Sequence, residues 1–126
     1  MPYEFYKVLH LVGIFMIFTG LGGAALAGTA GLGKDHPWRK PLAMTHGLGL
    51  LIALTGGFGL LARLQFTGWP WPGWAVFKLV IWLVLGGLLV VARKRTGGRV
   101  VWWLAVALGG TAAYLAVYKP FHNLFG

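Results

Sequence analysis

The stretch "AVFKLVIWLVLGGLLVVARKR", residues 75–95, decides the fold. No residue between Lys78 and Arg93 is charged. With Gly73 and Trp74 in front of it, the run reaches the ~20 helical residues needed to cross a hydrocarbon core of roughly 30 Å. Lys78 is then a single ammonium about five residues inside one end of a spanning helix. A lysine there either reaches to the headgroups along its apolar stem or takes part in a buried site.

Three further runs have the same character. They extend from about Phe5 to Thr29, from about Pro41 to Leu64 and from about Arg99 to Lys119, where Pro120 ends the last. The connections "AGLGKDHPWRK", "QFTGWPWPG" and "RKRTGG" are short, so consecutive helices are antiparallel neighbours. The expectation is an all-α polytopic membrane protein, an antiparallel bundle of four transmembrane helices in one domain over residues 1–126. Composition agrees: 58% of the residues are hydrophobic and only 10% charged, against about a quarter charged in soluble domains. The mean hydropathy is +0.75. "ALAGTA" resembles a signal-peptidase site, but "MPYEFYK" is not a basic leader, and the first run reads as a retained helix. With no cysteine, disulfides, thiolate chemistry and iron–sulfur ligation are excluded.

The net charge of +9 does not mark a nucleic-acid binder, because the basic residues sit in short loops between apolar runs. Lys34, Arg39, Lys40, Arg93, Lys94, Arg95 and Arg99 flank the loops after helices one and three. Only Lys7, Arg63 and Lys119 lie on the other side. This bias of seven to three places those two loops in the cytoplasm and both termini outside. Trp69, Trp71 and Trp74 are expected to form an aromatic belt at the outer face.

Depth then groups the ionisable residues. At about 1.5 Å per residue, His10 and Lys78 lie at a similar level, roughly 8 Å inside the outer surface. His122 follows helix four and returns to that interface, as a further ligand candidate. His46 enters from the opposite side, about 15 Å away along the normal, so His10 and His46 cannot share one iron. No second ionisable residue is expected at the level of His46, which reads as a hydrogen-bond donor between helices. His36, in "KDHPWRK", reads as a solvated loop residue. Small residues fall at three-four spacing in His10–Gly13–Ile17–Gly20–Ala24–Ala27, in His46–Gly49–Ala53–Gly56 and in Ala105–Gly109–Ala113. Such stripes allow close helix packing, and in places a slot for a planar cofactor. They also suit self-association or seating within a larger membrane complex.

"YKVLHLVGIF", "AMTHGLGLLIALTGGFGLL", "WAVFKLVIWLVLGGLL" and "LAVYKPF" together resemble the four-helix bacterial membrane-bound protoporphyrinogen IX oxidase family. The resemblance implies a bacterial inner-membrane protein that binds a b-type haem. It makes His10 and Lys78 the functional pair: His10 is the axial ligand to the haem iron, and Lys78 is the second ligand or the proton-handling catalytic group. The partner would be a quinone or a porphyrinogen-like reductant. The chain departs from the family in two places. "FTGLGGAALAGT" lacks the aromatic residue and the arginine found later in helix one, and Val76 stands where the family often has a histidine. Two other readings remain open: a non-catalytic accessory subunit of a larger complex, and a chlorin-pigment site at His46 or His10.

Overall fold

The computed structural model describes residues 2–33, 35–64, 66, 70–94, 96–121 and 124. Four helices account for most of them: α1 (Tyr3–Thr29), α2 (Arg39–Arg63), α3 (Gly73–Ala92) and α4 (Gly98–Tyr118). All four are long and apolar enough to cross a membrane, and the described residues contain no strand. The protein is a four-helix bundle. The shortest helix, α3, has 20 residues, or about 30 Å of rise. The expected boundaries hold to within two residues. Arg39 and Lys40 belong to α2 rather than to the loop, because Pro41 suits a first helical turn and does not block the residues before it.

Packing follows the small residues. As α1 is followed forward, its partners on α2 run backward: Tyr6 meets Gly59, His10 meets Gly56, Gly13 meets Ala53 and Gly20 meets His46. The two helices are therefore antiparallel, and they form the most extensive interface in the bundle. Glycine is required at this seam. A Cβ on Gly56 would lie 2.5 Å from the backbone nitrogen of His10, and one on Gly20 would lie 2.7 Å from that of His46. α4 runs back along α1, with Gly98 at Thr29 and Gly109 at Phe18, and α3 closes the ring. α3 also reaches α1 across the bundle, whereas α2 and α4 do not touch. Ile17, Leu21, Ala24 and Ala25 of α1 form the buried centre with Ala53, Ile81, Leu85, Val101 and Ala105. Phe15, Leu51, Leu83, Trp103 and Val117 face outward, as side chains against lipid do.

The interface between α2 and α3 is the smallest of the bundle. No glycine pair draws these helices together, and α3 carries Trp74, Lys78 and Trp82 toward this seam. The Trp82 Nε1–H donates to the Leu50 carbonyl at 2.9 Å and bridges the gap. At the end bearing the termini, the segment after α4 folds over the start of α3. The Gly73 N–H donates to the Phe121 carbonyl at 2.8 Å, and the Phe77 and Phe121 rings meet edge to face at 5.3 Å. Lys119 takes a left-handed conformation (φ 48°) at the end of α4, and this turns the chain back.

Candidate functional site

The open seam is a cleft between α1, α2 and α3. It holds about 760 Å³ of space between protein atoms, part of it open to the surroundings. His10 lines one wall from α1, Ala53, Gly57 and Phe58 line a second from α2, and Trp74, Lys78 and Trp82 line the third from α3. His10 and Lys78, expected at one level, do border the same space.

His10 is held firmly. One ring nitrogen, Nδ1, lies 2.7 Å from the carbonyl oxygen of Ala53. A carbonyl only accepts, so Nδ1 carries a proton, and in the neutral ring Nε2 keeps its lone pair. Nε2 is buried and has no hydrogen-bond partner among the described residues. Gly56 sets this geometry: without a side chain there, α2 lies against the His10 backbone and brings the Ala53 carbonyl within reach. Buried polar atoms are nearly always paired, so the unpaired Nε2 is an acceptor with capacity for a further partner.

Lys78 stands on the α3 wall, half-buried, and its amine makes no hydrogen bond or ion pair among the described residues. At the same end of the bundle the Lys119 Nζ lies 5.4 Å from the Trp74 ring centre and donates to the Ala116 carbonyl at 2.7 Å. Trp74 is only 6% exposed, and its Nε1–H has no partner among the described residues. Trp71 packs against Phe58 at 5.7 Å and also lines the cleft. The expected belt is thus corrected in part. Trp71 and Trp74 lie near that end of the bundle but turn inward, because the cleft beside α2 offers them more contact than the outer surface does. Trp69, like His122, falls outside the described residues.

The sequence reading missed the tryptophans of this wall. Trp74, Lys78 and Trp82 are four residues apart, one face of one helix. That spacing was available, but nothing in it said that the neighbouring helix would stand off.

His46 behaves differently. Its Nε2–H donates to the Leu85 carbonyl at 3.0 Å, tying α2 to α3, and the residue is 1% exposed. It packs at the level of Gly20, ten residues along α1 from His10, about 15 Å away. The backbone of Arg93, at the end of α3, packs at Gly28, whereas His46 packs at Gly20, about 12 Å apart along α1. His36 is half-buried rather than solvated, with Nδ1 enclosed and unpaired among the described residues.

Among the described residues no three metal-ligating side chains come together. A metal at His10 would need most of its ligands from a cofactor. The chain matches no family model, no curated protein and no solved structure.

Proposed function

We propose that the protein is a multi-pass protein of the bacterial inner membrane that binds one b-type haem in the cleft between α1, α2 and α3. In this reading it passes electrons between that haem and a quinone or porphyrinogen-like reductant, as the resemblance to the protoporphyrinogen oxidase family implies. The observation that carries the reading is the state of His10. A histidine that ligates a metal typically donates its other N–H to a carbonyl or carboxylate, which fixes the tautomer and aims the free nitrogen. His10 has that arrangement, with Nδ1–H on Ala53 and Nε2 buried and unpaired. Haem brings four nitrogens of its own, so a lone histidine suffices as the protein ligand and the lack of a metal-binding cluster is no obstacle.

The remaining residues fit the same guest. Trp71, Trp74, Trp82 and Phe58 give flat apolar walls. The free Trp74 N–H and the ammonium groups of Lys78 and Lys119 offer donors and positive charge to acidic substituents. Lys78 also provides an amine on the wall formed by α3, as a second nitrogen ligand or a proton carrier, and both roles require its neutral form. When bound, the haem supplies one-electron chemistry; the chain orients it, keeps water away and tunes it through the ligand. In this reading both termini lie outside and the cleft in the outer leaflet, and the bias of seven to three in basic residues supports that orientation.

A non-catalytic accessory subunit would explain the glycine seam but not the unpaired Nε2. The test is the visible spectrum of the detergent-purified protein, reconstituted with haem. A Soret band that shifts on reduction supports the proposal. A protein that takes up no haem would overturn it and leave the accessory-subunit reading.

A further inference from the structure

At the far end of the bundle from His10, a second, small recess lies between α1, α2 and α3. His36 from the connection after α1, Arg39 from the start of α2 and Arg93 from the end of α3 all border it. Three separate segments thus deliver two guanidinium groups and an imidazole to one place. The whole chain has only two acidic side chains. Glu4 is in the first turn of α1, at the other end, and Asp35 is exposed. Among the described residues neither the Arg39 nor the Arg93 guanidinium has an ion pair or a hydrogen bond, and His36 Nδ1 is buried and unpaired.

Burial, and then the like charge of Arg39, lowers the pKa of Arg93. A guanidinium nevertheless stays protonated, so the repulsion is not relieved by loss of a proton. The carbonyl end of α3 takes up part of the Arg93 charge. Arg39 has no such relief, because it stands at the start of α2, where the helix dipole is also positive.

We propose that His36, Arg39 and Arg93 form a binding site for a phosphate group. Two guanidinium forks match the oxygens of a phosphate, and the positive end of the α2 dipole favours the same charge. The site lies where spanning helices end, at the depth of lipid headgroups, so an anionic phospholipid is one source of the phosphate; free inorganic phosphate is the other. This proposal does not depend on the haem reading.

The test measures the thermal midpoint of the full chain in a neutral detergent, titrated with short-chain phosphatidylglycerol, with phosphatidylcholine or with inorganic phosphate. A saturable rise with phosphatidylglycerol alone assigns the site to a lipid headgroup. A rise with inorganic phosphate as well assigns it to the phosphate group by itself. Arg39→Gln with Arg93→Gln should weaken the response about tenfold, and Arg39→Lys with Arg93→Lys, which keeps both charges, should weaken it as well. Lys94→Gln with Arg99→Gln removes the same charge at exposed positions and should leave the response intact. The proposal is overturned by a flat response to both anions, by an unchanged response in the lysine pair, or by equal weakening in the Lys94 and Arg99 control.

Discussion

Two histidines on the same bundle illustrate how a ring nitrogen's surroundings separate a packing role from a ligand role. Each gives one N–H to a backbone carbonyl of a neighbouring helix, Ala53 for His10 and Leu85 for His46. At His46 the ring is sealed between α1, α2 and α3. At His10 the second nitrogen is left unpaired beside an open cleft. His46→Gln should therefore keep any bound cofactor and its spectrum, and lose roughly 1 kcal/mol of interhelical hydrogen bonding. Lys78→Arg tests the other wall. If the lysine only reaches for the headgroups, arginine does the same and the change is silent. If its amine must be neutral, arginine cannot serve, and the haem spectrum or its reduction by a quinol analogue should change. Both measurements are absorption spectra of purified variants. The equal depth of His10 and Lys78 was legible from helix rise alone. The proton position on His10 was not, because it depends on a carbonyl supplied by a residue 43 positions away.

At the scale of elements, the bundle is one tight seam and one loose one. α1 and α2 approach through glycine, whereas α2 and α3 share only a small interface joined by the Trp82 hydrogen bond. The contrast gives a paired prediction. Gly56→Ala places a methyl group on the His10 backbone, where only helix displacement can make room. It should destabilise by about 1–3 kcal/mol, as overpacking does, and weaken cofactor retention with it. Gly87→Ala, on α3, meets nothing within 4 Å. It should be neutral or slightly stabilising, since alanine is the better helix former. Thermal unfolding of the two variants in detergent checks the difference. The three-four stripe that makes the tight seam could be read from the sequence. The cleft could not, because a gap between helices depends on how the side chains of two elements fill the space between them, and each stripe taken alone is compatible with a closed interface.

For the whole molecule, hydropathy and loop length were enough to give four antiparallel spans, because a bilayer core leaves few options to a chain this apolar. Orientation rests on charge. With seven basic residues on one side and three on the other, reporter fusions after Gly126 should report an external C-terminus and fusions within "RKRTGG" a cytoplasmic loop. A cytoplasmic C-terminus would reverse the orientation and move the cleft to the inner leaflet, leaving the bundle itself unchanged. The cleft's role rests on one atom, Nε2 of His10. The decisive measurement is the Soret band of the haem-reconstituted protein beside that of His10→Ala, with circular dichroism to establish that the variant is folded. The account predicts a Soret band in the parent protein and its loss in the folded variant. An unchanged band in His10→Ala, or a folded parent protein that takes up no haem, would contradict it.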